Sequence, residues 1–114
     1  MHKTFICVEN NKILGTYYLK QNQVGQGSHF CNCGYMVSAE AIRKGLDTLM
    51  CQHSQKVARE LNYKAMQFNL VVVSNVPAVN LWSKLGFETV GKISKGFQHP
   101  TLGYVDALVM YKWL

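Results

Sequence analysis

With 114 residues, the chain is long enough for one domain with one hydrophobic core. Its 48% hydrophobic and 16% charged residues exclude an intrinsically disordered chain, and no apolar run is long enough to span a membrane. The net charge of +6 fits an anionic ligand, and it equally fits a solvated basic surface or a nucleic-acid binder.

Three strands are predicted first, because β-branched and aromatic residues concentrate over residues 3–9, 13–20 and 29–37. Between the first two, Asn10-Asn11-Lys12 predicts a tight hairpin turn, since Asn tolerates a positive φ. Gly34 inside the third strand indicates a bulge or a close approach of another group to the backbone.

The cysteines indicate the compartment. No signal peptide precedes Cys7, Cys31, Cys33 or Cys51, so we expect a cytoplasmic protein with reduced thiols. Cys31 and Cys33 share the third strand with His29, but cysteines of structural zinc sites are usually separated by two or more residues, and no fourth ligand is evident. We therefore expect buried thiols and no metal.

A long helix is predicted next, because apolar residues recur at the spacing of one helix face: Leu46, Met50, the half-apolar His53, Val57 and Leu61. Asn62 suits a left-handed residue at the end of this helix. Its start is preceded by Arg43, Lys44 and Gly45. A strand that ends in a turn and opens a helix presents free N–H groups and a favourable dipole to an anion, which predicts a phosphate-bearing ligand here. In the alternative, a helix capped by Ser38 continues without a break and uses up these N–H groups.

The second half of the chain begins with a predicted strand over residues 65–72, which can pair in parallel with the third strand because a helix connects them. A second helix starts at Ser74-Asn75-Val76-Pro77, has an apolar face of Ala78, Leu81, Trp82 and Leu85, and ends at Gly86. Strands over 87–94 and 107–114 enclose a predicted loop, 95–103. The order β-β-β-α-β-α-β-β predicts an α+β (mixed α/β) fold and a single domain, 1–114.

This order and three stretches resemble the GNAT superfamily of acetyl-CoA-dependent N-acetyltransferases. The stretches are the turn that opens the long helix, Ala58–Leu70, and Ser74–Gly91, which is close to the family motif N-x-x-A-x-x-L-(Y/W)-x-x-x-G-F. The resemblance implies a mixed, largely antiparallel sheet with helices on both faces and pantetheine inserted between the third and fourth strands. It also implies acetyl-CoA as cosubstrate and direct transfer of its acetyl group to a primary amine.

The same resemblance implies the cofactor contacts. Backbone N–H groups at Met36 and Val37 would bind the pantetheine and the developing oxyanion. The stretch from Arg43 to Thr48 would face the pyrophosphate, and Asn75 would bond the pantetheine arm unless it is only a helix cap. The predicted contact residues are Met36, Val37, Ile42, Arg43, Lys44, Gly45, Leu46, Asp47, Thr48, Asn75, Ala78 and Trp82.

Three departures from the family pattern matter. Of the family turn Arg/Gln-x-x-Gly-x-Gly/Ala only Gly45 is kept, with Ile42 at its first position and Asp47 at its last. A carboxylate ~5 Å from a phosphate charge, at an effective dielectric of ~20, repels it by about 3 kcal/mol, although Asp47 also suits the helix dipole.

Trp82 stands where many members have a proton-donating Tyr, so we expect it to be a core aromatic. The strand and two helices that precede the first strand in the family are not seen, so the apolar edge of residues 3–9 predicts a homodimer or a fragment that needs a partner segment, with a marginal monomer as the alternative.

No general base can be named from the sequence; His29, His99, Tyr104 and Asp106 are the titratable candidates near an acceptor. The expected acceptor is a small-molecule amine or an amino-acid-like compound, with no nucleic acid and no membrane as partner. Two other classes stay open: an inactive CoA-binding or interaction module of the same fold, and a basic nucleic-acid binder, for which no recognition motif is present.

Overall fold

The computed structural model describes residues 2–21, 25–38 and 45–114, which form six strands, two helices and one 3-10 turn. The strands are β1 (His2–Glu9), β2 (Lys12–Gln21), β3 (Phe30–Val37), β4 (Ala65–Val72), β5 (Glu88–His99) and β6 (Gly103–Trp113). The helices are α1 (Leu46–Glu60) and α2 (Val76–Lys84), and the 3-10 turn is Gly25–Gly27.

The six strands belong to one sheet in the order β1-β2-β3-β4-β6-β5. β1 with β2, β2 with β3, and β5 with β6 pair antiparallel. The predicted element order and the α+β class are therefore confirmed. Two compact units divide the chain: one contains the residues up to Met66 together with Leu114, and the other is Gln67–Trp113. Each is described by itself below.

The hairpin turn between β1 and β2 is the one that the sequence predicts. Asn10 and Asn11 have φ values of 52° and 63°, which are the left-handed conformations that a two-residue hairpin turn requires. The prediction for Gly34 is also confirmed, because a Cβ at this position would lie 2.4 Å from Cε1 of Tyr18. The ring of Tyr18 occupies the space that a side chain at position 34 would need.

The buried face of α1 differs from the predicted one. The structure buries Met50, Cys51, Ser54, Gln55 and Ala58, whereas the predicted face residues His53 and Val57 are exposed and half-buried. Cys51, Ser54 and Ala58 are all 0% exposed. These small side chains allow the helix to approach the strands closely, and hydrophobic spacing alone does not identify them because Ser counts as polar.

The ends of both helices follow local rules. Asn62 has φ 68° just after α1, as predicted for a left-handed terminating residue. Asn75 caps α2 by accepting the backbone N–H of Ala78 at 3.4 Å, and Pro77 lies in the first turn. Gly86 follows α2 with φ 99°, and its N–H donates to the carbonyl of Ser83.

The predicted loop over residues 95–103 is wrong. β5 runs through to His99 and β6 begins at Gly103, so the connection is only residues 100–102. Lys95 has φ 54° within an irregular stretch of the pairing, and its N–H donates to the Asp106 carboxylate at 3.0 Å. Lys95 and Gly96 look like turn residues in the sequence, but pairing with β6 keeps them in a bulged strand.

Candidate functional site

The turn that opens α1 has the backbone geometry of an anion site. Gly45 adopts φ 73° and ψ 18°, a left-handed conformation that glycine reaches without strain, and provides no side chain to cap the helix. No atom of the described residues lies within 4 Å of the Cβ position of Gly45. A helix cannot continue through the left-handed Gly45, so the alternative of a helix that runs through this residue without a break is excluded. Because α1 begins at Leu46, the N–H groups of its first turn have no intrahelical acceptors.

Asp47 uses one of these N–H groups. Its Oδ1 accepts the backbone N–H of Thr48 at 2.9 Å, so the carboxylate lies where a bound anion would receive the same donor. Leu46, Asp47 and Thr48 are all half-buried. The predicted contacts Ile42, Arg43 and Lys44 lie outside the described residues. The end of β3 precedes this gap: Met36 is 75% exposed and Val37 is half-buried.

The remaining predicted contacts lie in the other unit. Asn75 is exposed, and its side-chain oxygen caps α2. Trp82 is 7% exposed and packs on Phe68, with ring centroids 5.1 Å apart. Phe68 in turn stacks on Phe87 at 4.3 Å. Trp82 therefore has the core role expected of it, and Ala78 lies half-buried one turn earlier on α2.

The candidate bases have structural partners. His29 lies just before β3, with Nδ1 3.2 Å from the carbonyl oxygen of Gln26. His99 Nδ1 accepts the backbone N–H groups of residues 101 and 102, both at 3.1 Å, and so fixes the β5–β6 turn. The backbone N–H of Lys95 donates to the carboxylate of Asp106, and Nζ of Lys92 lies 3.6 Å from its Oδ2. Both interactions lower the pKa of Asp106. Asp106 is therefore a poor proton acceptor, and Tyr104 is an exposed residue of β6.

A feature that sequence reasoning missed is a cavity of about 260 Å³ between the first hairpin and α1. Phe5 and Tyr17 line it from the strands, and Leu46, Met50 and His53 line it from α1. The hydroxyl of Tyr17 is hydrogen-bonded to Nδ1 of His53, and burial raises the pKa of Tyr17. The sequence placed His53 on the helix face, but no local signal pairs it with a strand 36 residues away.

A second cluster contains thiols. Cys33 and Cys51 are buried, and the nearby hydroxyl of Tyr35 lies 2.5 Å from Oγ of Ser54. Burial raises the pKa of the Cys33 thiol to about 12 and that of Cys31 to about 12. These thiols are neutral at physiological pH. All four cysteines are free, and within residues 2–21, 25–38 and 45–114 no group of three His, Cys, Asp or Glu side chains could hold a metal. No helix among these residues is long and apolar enough to cross a membrane.

Residues 2–87 match the acetyltransferase (GNAT) family. The chain is 34% identical over 102 residues to the N-acetyltransferase aca1 of Schizosaccharomyces pombe, covering 85% of this chain and 47% of that protein. It therefore spans about half the length of this curated relative.

Solved structures of acetyltransferases have the same fold as this chain. A GCN5-related N-acetyltransferase from Kribbella flavida superposes with a TM-score of 0.90 at 36% identity, covering 99% of this chain and 68% of the other. A GNAT-family acetyltransferase from Streptococcus pneumoniae shares the fold alone, with a TM-score of 0.87 at 22% identity, covering 97% of this chain and 66% of the other. Because the family match extends over three quarters of the chain and the fold agrees with it, this chain belongs to the GNAT family of acetyltransferases.

Proposed function

We propose that this protein transfers the acetyl group of acetyl-CoA to a primary amine, by direct attack of the amine on the thioester. The observation that carries the proposal is the turn at Gly45, where a left-handed glycine without a capping side chain opens α1 and leaves the N–H groups of Leu46 and Asp47 without intrahelical acceptors. Such a helix start binds phosphate groups because both its N–H donors and its dipole favour negative charge. A diphosphate-bearing thioester fits this donor set.

The roles of the other predicted contacts follow from their chemistry. Main-chain N–H groups at Met36 and Val37 would hold the pantetheine arm and stabilise negative charge on the thioester oxygen. Ile42, Arg43 and Lys44 complete the proposed diphosphate segment with Gly45 and its first helical turn. In the other unit, the Asn75 amide would bond the arm, and Ala78 and Trp82 would provide apolar contacts.

The proposed reaction does not require a general acid from the chain. The indole of Trp82 cannot act as a general acid, but a thiolate whose pKa is that of an ordinary thiol, ~8.5, leaves without one. A missing general acid lowers the rate by ~10²-fold and leaves the reaction feasible. The acceptor amine must lose a proton, and none of the candidate bases is assigned to that step.

The test is acetyl transfer from acetyl-CoA to a panel of small amines, followed by mass spectrometry of the products. Gly45→Ala is the diagnostic variant, because alanine is strained at φ 73°. Gly25→Ala is its matched control: Gly25 has φ 67°, and its Cβ position has no neighbour within 4 Å in the part of the chain that the structure describes. We expect both variants to lose similar stability and only Gly45→Ala to bind acetyl-CoA more weakly. Equal affinity in the two variants, or no acetylated product from wild type, would contradict the proposal.

A second candidate is a CoA-binding module that does not catalyse. Asp47 favours a weakly binding or interaction-only form of such a module, because its carboxylate occupies the Thr48 N–H that a diphosphate would otherwise receive. Calorimetry separates the two functions: acetyl-CoA binding without turnover of any amine means a module, and binding with turnover means an enzyme.

We further propose a cytoplasmic homodimer. Free thiols support a reducing compartment. β1 is an edge strand of the sheet among the described residues, with Ile6 and Val8 59% and 51% exposed. Apolar strand edges of this kind are usually covered, and a second copy of the chain is the proposed cover. A monomer that tolerates this edge in water is the alternative.

A further inference from the structure

The cavity of about 260 Å³ between the first hairpin and α1 lies entirely within one of the two compact units. Its most deeply buried lining residues are Tyr17 and Met50, which are 3% and 5% exposed. The sulfur of Met50 extends to β2, where it lies 3.0 Å from the position of a Cβ at Gly15. Phe5 and Cys7 of β1 also line the cavity and are half-buried. The cavity is therefore closed at one end by buried side chains and open to solvent at the other.

The volume of the cavity sets the size of an occupant. A dry cavity of about 150 Å³ holds one benzene ring, and sites for drug-sized molecules begin at about 300 Å³. A cavity of about 260 Å³ lies between these two sizes. It therefore fits a molecule of two fused rings.

The charges around the cavity select a neutral ligand. None of the eight lining residues is Lys, Arg, Asp or Glu, and His53 is the lining residue with an ionisable imidazole. Asp47 directs its carboxylate to the backbone N–H of Thr48. The other Lys, Arg, Asp and Glu residues of β1, β2 and α1 are exposed: Lys3, Glu9, Lys12, Lys20, Lys56, Arg59 and Glu60. An ionised ligand would lose water in this cavity without gaining an opposite charge there, which is unfavourable.

The rings and sulfur atoms of the lining favour an aromatic ligand. Phe5 stacks on Tyr17 with ring centroids 5.0 Å apart, and the ring of His53 meets Phe5 edge-on at 5.4 Å. Cys7 and Met50 contribute sulfur atoms, which make favourable contacts with aromatic rings. A rigid ring also loses no torsional freedom on binding, whereas an alkyl chain of the same volume does.

A hydrogen-bonded pair lines the cavity and can receive one donor from a ligand. The hydroxyl of Tyr17 is hydrogen-bonded to Nδ1 of His53. Burial raises the pKa of Tyr17, so the hydroxyl keeps its proton and donates it to Nδ1 of the neutral imidazole. A hydroxyl oxygen has two lone pairs, so that of Tyr17 can still accept a hydrogen bond from a ligand N–H.

The edge at which we propose a second copy of the chain is a different surface. A strand that pairs with the free edge of β1 would extend the sheet within its own plane. The cavity instead lies on the face of the sheet that α1 covers, because Tyr17 meets His53 of α1 there. Binding in the cavity and pairing at the edge can therefore be tested separately.

We propose that this cavity binds a neutral bicyclic aromatic molecule with one hydrogen-bond donor, such as indole. The ring system packs against Phe5 and Met50, and the indole N–H donates to the hydroxyl oxygen of Tyr17. Indole has no basic amine, so it is not an acceptor in the proposed acetyl transfer. The inference therefore stands independently of that reaction.

The first test is calorimetric titration of the full chain with indole and with indene, which has the same shape but lacks the N–H. We expect both to bind with Kd below about 1 mM, since each small ring system is buried in an apolar site. Tyr17→Phe should weaken indole binding about tenfold, because the N–H then has no acceptor, and should leave indene binding nearly unchanged.

Tyr35→Phe is the matched control for this variant. Tyr35 is another strand tyrosine whose hydroxyl is hydrogen-bonded to α1, through Oγ of Ser54, but it does not line the cavity. We expect Tyr35→Phe to bind indole and indene as the wild type does.

Cys7 reports occupancy of the cavity in the wild-type protein. It is half-buried, whereas Cys31, Cys33 and Cys51 are at most 2% exposed. Iodoacetamide should therefore alkylate Cys7 selectively in the folded protein, as measured by mass spectrometry of its peptides. Indole at about ten times its Kd should slow this reaction about tenfold. In urea, where the cavity is absent, indole should have no effect on the rate.

The outcomes decide the inference without reference to acetyl transfer. Failure of both ligands to bind, or binding that leaves the alkylation rate of Cys7 unchanged, overturns the proposed site. An indole affinity that Tyr17→Phe does not lower relative to indene overturns it as well. If Cys7 is protected without any ligand and becomes reactive on dilution, a second copy of the chain fills the cavity and the inference fails. If Tyr17→Phe does not fold, the alkylation of wild-type Cys7 decides alone.

Discussion

Asp47→Gly should make acetyl-CoA bind more tightly while it makes the protein less stable. The carboxylate of Asp47 lies in the first turn of α1 and accepts the N–H of Thr48 at 2.9 Å. Its removal frees one donor for the diphosphate and takes away a negative charge that opposes it. It also takes away a favourable interaction with the helix dipole, which acts on the free protein.

The two effects can be given magnitudes. Repulsion between unit charges ~5 Å apart at an effective dielectric of ~20 is about 3 kcal/mol, and solvent screening at this half-buried turn reduces it to about half. That corresponds to roughly a tenfold lower Kd. The loss of the dipole interaction and the greater freedom of glycine in a helix together lower the free energy of unfolding by about 1 kcal/mol, or ~4 °C in Tm.

Isothermal titration with acetyl-CoA measures the first effect, and thermal unfolding without ligand measures the second. Asp47→Asn is the control: it removes the charge but keeps an oxygen that can accept the Thr48 N–H. We expect it to bind acetyl-CoA with an affinity between those of wild type and Asp47→Gly. The gain in both variants should shrink as salt is raised from about 50 to 300 mM, because salt screens charges at a partly exposed site.

Equal or weaker affinity in both variants, at matched salt, would refute the reasoning. It would mean that the first turn of α1 does not face the diphosphate, whatever else the protein binds. An unchanged Tm in Asp47→Gly would show separately that Asp47 does not stabilise the helix start.

Three further predictions test other parts of the chain. Gly34→Ala should lower the free energy of unfolding by about 1–3 kcal/mol because its Cβ would be 2.4 Å from the Tyr18 ring, whereas Gly91→Ala, with its nearest neighbour at 3.9 Å, should be tolerated in the same denaturant titration. The lowered pKa of Asp106 means that its ionised form stabilises the fold above its ordinary pKa and that this contribution is lost as pH falls below about 4; a Tm series from pH 7 to 3 should be flatter in Asp106→Asn, and an unchanged series would contradict this. Val8→Lys at the exposed β1 edge should convert a dimer into a folded monomer in sedimentation experiments at micromolar concentration, and a monomeric wild type would end the dimer proposal.

Local sequence signals predicted the first hairpin turn, the end of α1 and both ends of α2 well. Asn10 and Asn11 form the predicted left-handed turn, and Asn75 caps α2 as predicted. These features depend on backbone preferences and hydrogen bonds within a few residues, so a short stretch of sequence is enough to predict them. The family motif around α2 is likewise a local pattern, because its residues stand at fixed spacing within one short stretch of the chain.

Packing and strand pairing were predicted less well. The buried face of α1 is centred on Cys51, Ser54 and Ala58, where hydrophobic spacing had pointed to Val57 and Leu61. β5 continues to His99 because cross-strand hydrogen bonds with β6 outweigh the turn tendency of Lys95. Both outcomes depend on a partner element that a local window of sequence does not contain.

The sequence by itself determined the element order, the Asn10-Asn11 turn and the cap at Asn75, since each follows from the conformational preferences of a few neighbouring residues, and it left open whether the long helix begins after Gly45 or runs on from Ser38. The tertiary structure decided which side chains meet across distant elements. It paired Tyr17 with His53 and placed Asn32 opposite Lys20 with a buried oxygen unpartnered among the described residues. Such contacts depend on strand register and on the distance of the helix from the sheet, which the whole core fixes together.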